Sequence, residues 1–275
     1  MIGRYDEQML DDPETMLRLT LQTLPHVTLS MGVKPPCKLC DDLGYLEIIS
    51  DEREPYIIMC KCHLAELLQS RQQKWNKLSV IPVNTHLVEQ LSDFVRPPGA
   101  TDIEWHSFER ALAYAHDLTH QPLEYAWMTL LGDKGCGKTS LLVSIYRRIP
   151  WCCVYLGAGA LTTKIFSSFD SNTTEELTQQ LIEVPVLLLD DWGVDILNAT
   201  IQNKITQIID ARYMQGKLRP TVIASNLSTE QLHQFNARVG SRIVDQDLVK
   251  VVGVTLSDYR RRDENKGNTV VRRSS

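Results

Sequence analysis

The sequence predicts an α/β protein, with a parallel β-sheet that carries helices on both faces and a small cysteine-containing domain before it. From about residue 101 onwards, apolar runs typical of buried strands alternate with helical segments. One glycine-rich stretch, LLGDKGCGKTS, stands between such a strand and a helix. A third observation predicts the small domain: four of the seven cysteines lie in the first quarter of the chain.

Composition and charge narrow the class of protein. With 275 residues the chain is long enough for one substantial domain and a smaller one. No apolar run approaches the length of a membrane span, and the acidic, polar start MIGRYDEQMLDDPE does not fit a signal peptide, so we expect a cytoplasmic protein with no membrane partner. The net charge of −5 argues against a surface devoted to nucleic acid, so any such contact is expected to be local. A basic run near residues 260–273 fits a solvated tail as well as a phosphate contact.

The first predicted element is a short amphipathic helix. Asp12 is placed as its N-cap and Pro13 in its first turn. Leu17, Leu21 and Leu24 then share one face. Packing on the small domain and binding of a partner explain this face equally well.

The four early cysteines predict a structural zinc site. The motifs CKLC and CKC flank two predicted strands, Tyr45 to Ile49 and Tyr56 to Met59, around a polar turn. A hairpin of this kind brings two thiolate pairs together in the tetrahedral arrangement that Zn²⁺ prefers. A disulfide is disfavoured in a cytosolic chain, and cysteines that are merely buried have no reason to occur in pairs. The predicted ligands are Cys37, Cys40, Cys60 and Cys62, and His63 is an alternative ligand or a neighbouring side chain.

A helical segment rich in charge follows, and then a looser stretch that ends in RPPGA. We therefore divide the chain into an N-terminal helix and zinc-binding domain (1–75), a linker (76–100) and a sheet domain (101–275). Thr101 and Glu104 form a capping box at the start of that domain's first helix. Strands are predicted to end at Leu131, Leu156, Leu189, Ala224 and Leu256, with helices between them. Cys152 and Cys153 are predicted to be core residues of the second of these strands.

The glycine-rich stretch matches the pattern G-x-x-x-x-G-K-[ST], which binds nucleotide phosphates. Glycines allow successive N–H groups to form one concave nest, and the helix that begins there adds the positive end of its dipole. Lys138 supplies a charge for the outer phosphates, and the Thr139 hydroxyl is placed to bind Mg²⁺. The predicted nucleotide-binding residues here are Gly132, Asp133, Lys134, Gly135, Cys136, Gly137, Lys138, Thr139 and Ser140.

Two later strands are predicted to complete the site. The run VPVLLLDDWG delivers two carboxylates to the carboxyl end of a strand, where open α/β sheets bind ligands. Asp190 is expected to organise Mg²⁺, and Asp191 to orient or deprotonate the attacking water. Many enzymes of this type have glutamate at the second position, so the shorter Asp191 leaves the rate of hydrolysis open. Asn226, after the strand in RPTVIASNLS, is either a turn residue or a side chain that positions the water or senses the γ-phosphate.

In order along the chain, GDKGCGKTS, LLLDDWG, IIDARYMQGKLRPTVIASNLS, RVGSRIVD and VVGVTLSDYRR resemble the AAA+ ATPases of the DnaC/DnaI helicase-loader group. The similarity covers residues 80–262. The cysteine module resembles the zinc-binding domain that DnaI-like and phage loaders place before the ATPase. Single motifs are generic to P-loop enzymes, whereas their order, the RPT-strand-SN segment and the SDYRR ending are more specific.

The resemblance implies roles for three arginines. Arg242 matches the arginine finger that reaches the ATP of a neighbouring subunit, and Arg238 the nearby basic position of the same helix. Arg260 matches the sensor arginine that contacts nucleotide in its own subunit. A structural ion pair is the alternative for each of them.

The resemblance also implies an ATP-dependent loader of a DnaB-type replicative helicase that self-associates and contacts single-stranded DNA. One alternative is a transposition-helper ATPase of the IstB type, which typically lacks a cysteine module. Another is a zinc-containing adaptor that binds ATP with little turnover.

Overall fold

A computed structural model describes residues 17, 37, 40, 45–50, 53–83, 90–193 and 199–256. The chain forms two compact units, residues 1–74 and residues 75–275. The helix predicted from Asp12 lies outside the described residues except for Leu17, which is helical and fully buried. Arg260 also lies outside them.

The first unit contains an antiparallel hairpin followed by a helix. Strand β1 (Tyr45–Ser50) pairs with β2 (Arg53–Met59), so that Tyr45 lies opposite Met59. Helix α1 (Lys61–Asn76) begins almost at once, and the Leu64 N–H donates to the Cys60 carbonyl at 2.9 Å. The end of β2 and the first turn of α1 therefore place Cys60 and Cys62 at the open end of the predicted hairpin.

The second unit alternates strands and helices. Its first helix, α2, begins after the predicted capping box: the Glu104 N–H donates to Thr101 Oγ1 at 3.2 Å, and the Thr101 N–H donates to Glu104 Oε2 at 2.7 Å. None of the helices in the described part of the chain is long and apolar enough to cross a bilayer. The elements are α2 (Asp102–His120), β3 (Trp127–Gly132), α3 (Lys138–Arg148), β4 (Cys153–Gly157), α4 (Ala158–Asp170), α5 (Thr174–Glu183), β5 (Val186–Trp192), α6 (Ala199–Gln215), β6 (Thr221–Ser225), α7 (Thr229–Phe235), α8 (Ala237–Ile243) and β7 (Val249–Val254), with short 3-10 turns at Leu91–Asp93 and Gly216–Leu218.

The five strands of this unit form one parallel sheet in the order β4-β5-β6-β3-β7. The predicted α/β class with a parallel sheet is thus confirmed. The order has a functional consequence, because β6 lies between β3 and β5. All strands point the same way, so residues that follow β6 emerge between the phosphate loop after β3 and the aspartates at the end of β5.

A buried arginine forms hydrogen bonds at the start of two of these strands. Arg212 is fully buried in α6, and burial lowers its pKa to about 9, so it is still a cation at neutral pH. Its guanidinium donates to Thr221 Oγ1 at 2.9 Å. It also donates to main-chain carbonyls at the end of α5 and just before β5 and β6, namely those of Leu181, Ile182, Val184, Pro185 and Pro220. One side chain therefore donates to six acceptors at the buried starts of these strands, of which the Pro220 carbonyl also accepts the Leu187 N–H at 3.1 Å.

The open edge of β4 is covered by the segment that follows α1. The Val80 N–H donates to the Tyr155 carbonyl at 2.9 Å, and the Tyr155 N–H donates to Ser79 Oγ at 3.2 Å. Covering an edge in this way satisfies main-chain groups that otherwise pair with another chain. Cys152 and Cys153, at the start of this strand, are fully buried as predicted.

Candidate functional site

The phosphate loop requires glycine at two positions, because of a close contact at Gly132 and a left-handed backbone at Gly137. A Cβ atom on Gly132 would lie 2.4 Å from the Val254 carbonyl oxygen, on the neighbouring strand β7. Gly137 precedes α3 with φ of 96°, and a Cβ there would lie 3.1 Å from the Phe108 ring. The loop is thus fitted closely between the end of β7 and helix α2, and it leads into the amino terminus of α3.

Lys138 is held inside this loop. Its side chain is buried, and Nζ donates to the carbonyls of Gly132 at 2.6 Å and Asp133 at 2.8 Å. A third bond, of 2.8 Å, goes to Asn226 Oδ1. The ammonium is therefore pre-positioned by oxygen acceptors in a glycine-rich loop, a type of backbone that favours anions.

Asp190 is a buried carboxylate with three donors. The Tyr155 hydroxyl donates to Oδ2 at 2.6 Å, and the Asp191 N–H donates to Oδ1 at 3.0 Å. The third donor is the side chain of Thr139. Burial raises the pKa of Asp190, and the hydrogen bonds from Tyr155 and Thr139 oppose that rise. A carboxylate beside a hydroxyl next to the phosphate loop is the oxygen donor set that Mg²⁺ accepts, so these residues fit the predicted ion.

Asp191 departs from regular strand geometry. It is exposed and has φ of 52°, in the left-handed region that aspartate tolerates better than most residues. The pairing of β5 with β6 is irregular between Leu189 and Trp192 for the same reason. The turn brings Asp191 Oδ1 to 3.5 Å from Asn226 Nδ2. Both aspartates thus reach the same edge of the sheet although they are consecutive in a strand.

Asn226 therefore links the two halves of the site. Its oxygen accepts from Lys138 and its nitrogen faces Asp191. The sequence left open whether Asn226 is a turn residue or part of the site, and the structure places it between these two side chains.

Sequence reasoning missed two features next to the loop. Tyr155 was treated only as part of an apolar strand, because nothing in WCCVYL indicates that its hydroxyl reaches Asp190, 35 residues later. An aromatic cluster also went unrecognised: the Phe108 ring lies 5.2 Å from Phe94 and 5.8 Å from Trp105, between ring centroids. Trp105 and Phe108 both lie on α2, and no motif of the loop indicates that the Phe108 ring lies beside Gly137.

Arg242 lies far from the phosphate loop of its own chain. It forms an ion pair with Asp210, and its guanidinium carbon lies 5.4 Å from the centre of the Tyr213 ring. That ring packs 6.1 Å from the ring of Trp127, the first residue of β3, whereas the phosphate loop follows the last residue. Five residues of strand separate the two ends by roughly 16 Å. Arg238 pairs with the same Asp210 at 2.6 Å, with its side chain 67% exposed.

The first unit brings its four cysteines into one cluster. The sulfur atoms of Cys37, Cys40, Cys60 and Cys62 all lie within 4.8 Å of one another, with 3.7 Å between Cys37 and Cys60 and 3.5 Å between Cys40 and Cys62. Zn–S bonds of about 2.3 Å in a tetrahedron place sulfurs roughly 3.7 Å apart, so the cluster fits the predicted ion. In the absence of metal the pKa of the Cys62 thiol is raised to about 12, mainly by burial and to a smaller extent by a hydrogen bond with Cys40.

Comparison with known proteins defines the class. Residues 101–249, more than half of the chain, match the family of the bacterial DnaA ATPase domain, and the chain belongs to this family. The fold is also similar to that of AMPPCP-bound DnaA from Aquifex aeolicus, with a TM-score of 0.52, 18% identity and coverage of 68% of this chain and 57% of that chain. The sheet unit is thus an AAA+ ATPase-like domain of a nucleotide-binding family.

Two curated proteins resemble parts of the chain. The replicative helicase loader DnaI of Bacillus subtilis is 26% identical over 110 residues, which are 38% of this chain and 35% of that protein. The insertion sequence IS1162 putative ATP-binding protein of Pseudomonas fluorescens is 28% identical over 103 residues, which are 36% of this chain and 43% of that protein. The matches therefore span less than half the length of either protein. The predicted resemblance to the DnaC/DnaI group is confirmed.

Proposed function

We propose that this chain binds and hydrolyses ATP with Mg²⁺ and uses the cycle to load a DnaB-type replicative helicase onto single-stranded DNA. The observation that carries the nucleotide part is the joint placement of Lys138, Asn226 and Asp191 at one edge of the sheet, beside the buried Asp190. The loader part is supported by the similarity to the replicative helicase loader DnaI.

In this proposal the residues divide the work by their chemistry. The loop N–H groups and Lys138 bind the phosphates, and Thr139 and Asp190 hold Mg²⁺, which neutralises charge on the transferred phosphoryl group. Asp191 orients or deprotonates the attacking water. Asn226, within reach of both Lys138 and Asp191, keeps that water in line with the γ-phosphate.

Hydrolysis is proposed to require a second copy of the chain. Arg242 lies on α8, near the end of β3 opposite the phosphate loop, so it is poorly placed to serve its own ATP, and we propose that it serves that of a neighbour. Its ion pair with Asp210 holds the guanidinium in place until then. Arg260 is proposed to contact nucleotide in its own subunit, on the resemblance alone.

The cysteine unit is proposed to bind one Zn²⁺ and to contact the helicase. The closeness of the four sulfurs supports the metal, since four protein ligands form a closed structural site. The helicase contact rests on the resemblance to loaders with such a module. If the zinc site only stabilises the hairpin and the unit makes no contact with the helicase, loss of the site should leave helicase binding unchanged.

A loading assay with the full chain tests the proposal. Purified replicative helicase from the encoding organism is mixed with circular single-stranded DNA coated with binding protein, and helicase retained on the circle is measured. We expect retention only with the chain and ATP, and loss of retention with Lys138→Ala. Equal retention without the chain, or no complex between the chain and the helicase, contradicts the loader role.

A second candidate is a transposition-helper ATPase, favoured by the similarity to the insertion-sequence protein. The same preparation distinguishes the two functions. A helper that acts on a transposase shows ATP-dependent binding to duplex DNA and no complex with the helicase, whereas a loader forms that complex.

A further inference from the structure

We propose that Tyr155 is a positioning residue of the magnesium site, whose hydroxyl sets the orientation of the Asp190 carboxylate. This inference rests on the proposed nucleotide function. No sequence motif of the site includes Tyr155, which lies on β4 and is separated by β5 and β6 from β3, the strand that leads into the phosphate loop.

The contact is short and buried. The Tyr155 hydroxyl donates to Asp190 Oδ2 at 2.6 Å, and only 2% of Tyr155 and 3% of Asp190 are exposed. The other carboxylate oxygen accepts the Asp191 N–H at 3.0 Å. Both oxygens are hydrogen-bonded, and the Thr139 side chain is a third donor. Rotation of the carboxylate about its Cβ–Cγ bond therefore breaks at least one hydrogen bond where little water is available to replace it.

The main chain of Tyr155 is fixed from both sides. On the inner side β4 pairs with β5, and Tyr155 lies opposite Leu188, two residues before Asp190. On the outer side its N–H and carbonyl bond to Ser79 and Val80. A hydroxyl at the end of a planar ring anchored in this way has little freedom, which is what a residue that orients a metal ligand requires.

The effect expected from this arrangement is on metal binding more than on the nucleotide itself. Lys138 and the loop N–H groups bind phosphate without help from Tyr155, because Lys138 makes its hydrogen bonds to other residues. Asp190 and Thr139, in contrast, bind through the ion. Loss of a hydrogen bond to a metal-binding carboxylate typically costs 10- to 100-fold in metal affinity or activity.

The test removes only the hydroxyl, with Tyr155→Phe in the full chain. Binding of a fluorescent ATP analogue is measured with Mg²⁺ and with EDTA. The dissociation constant in EDTA divided by that in Mg²⁺ gives the contribution of the ion. We expect this ratio to fall about tenfold or more, with unchanged affinity in EDTA. The Mg²⁺ concentration needed for half-maximal hydrolysis should rise in parallel.

Tyr114→Phe is the matched control. Tyr114 is also 2% exposed, but its hydroxyl donates to the Ala126 carbonyl and not to the site. Both variants lose one buried hydrogen bond, so a similar loss of stability is expected. Only Tyr155→Phe should change the Mg²⁺ dependence.

Two outcomes separate this inference from the proposed function. If the wild type binds the analogue more tightly with Mg²⁺ and Tyr155→Phe does so equally, Tyr155 is a structural residue and the inference is wrong. If the wild type binds equally with and without Mg²⁺, the proposed magnesium site itself is wrong, and the inference falls with it. Unchanged affinity in EDTA shows that the pocket is folded.

Discussion

The ammonium of Lys138 donates to the side-chain oxygen of Asn226 at 2.8 Å, across 88 residues of sequence. Asn226 also faces Asp191, so Lys138, which is proposed to bind phosphate, and Asp191, which is proposed to act on the water, share one neutral partner. An amide suits this place because it offers an acceptor to the cation and a donor to the carboxylate at the same time.

The first prediction separates binding from chemistry. Lys138→Ala should abolish ATP binding because it removes a contact made in the ground state, whereas Asp191→Asn should retain binding and lose hydrolysis. Asparagine also tolerates the left-handed φ of 52° found at this position, so the backbone should not change. Filter binding and phosphate release measure the two effects. An equal loss of nucleotide affinity in both variants shows that the role of Asp191 is misassigned.

A second prediction concerns the charge of the shared partner. Asn226→Asp places a carboxylate beside Lys138, which then competes with the phosphates, so ATP affinity should fall by about tenfold or more. Asn226→Ala adds no charge and should keep ATP affinity within a few-fold while hydrolysis falls. Titration with a fluorescent analogue at several salt concentrations measures both variants. If Asn226→Asp binds the analogue as tightly as Asn226→Ala does, phosphate binding by Lys138 does not depend on a neutral neighbour.

Metal content provides the third prediction. The purified chain should carry one zinc ion, and Cys60→Ser should lower this content because it removes one of four ligands. Cys152→Ser is the control, since Cys152 is equally buried but lies in the other unit. Elemental analysis measures the number of zinc ions per chain in each protein. Zinc-free wild-type protein, or unchanged zinc in Cys60→Ser, contradicts the assignment.

The fourth prediction tests Arg242 and assembly together. Arg242→Ala should bind ATP nearly normally but hydrolyse it poorly, because a finger acting in a neighbour contributes nothing to its own pocket. Lys138→Ala subunits keep their finger, so mixing the two variants should partly restore turnover. Such charge stabilisation is worth about 10³-fold or more in related enzymes.

Arg238→Ala is the control for this experiment, because it removes an arginine that pairs with the same Asp210. It tests whether loss of an ion pair to Asp210 is enough to reduce turnover, and we expect most turnover to remain. Absence of rescue at every mixing ratio, with weakened ATP binding by Arg242→Ala alone, indicates that Arg242 serves its own subunit.

A fifth prediction concerns the frame that supports the site. Arg212→Met should lower the free energy of unfolding by roughly 3 kcal/mol or more, because several buried carbonyls lose their donor. Arg219→Met is the comparison, since Arg219 is partly exposed and its Nε lies buried with no hydrogen-bond partner among the described residues. Denaturant unfolding measures both. Similar midpoints for the two variants contradict the importance of Arg212.

The sequence by itself was enough to predict the local parts of the candidate site. The phosphate loop depends on the backbone freedom of a few closely spaced glycines and on the helix that follows. The pattern from Gly132 to Thr139 therefore predicts its geometry directly. The paired cysteines are likewise close because a hairpin joins them. Alternating apolar strands and helices were sufficient to predict a parallel sheet, since both faces of each strand must be covered.

Tertiary structure alone decided how these parts meet. When strands are apolar and buried on both faces, their sequences do not indicate their order in the sheet. The position of β6 between β3 and β5 is therefore visible only in the fold. That order brings Asn226 to Lys138, and the pairing of β4 with β5 brings the Tyr155 hydroxyl to Asp190. The left-handed turn at Asp191 is likewise visible only in the fold, where it coincides with the break in the register of β5 with β6. Contacts between residues far apart in sequence arise from packing, which no local pattern encodes.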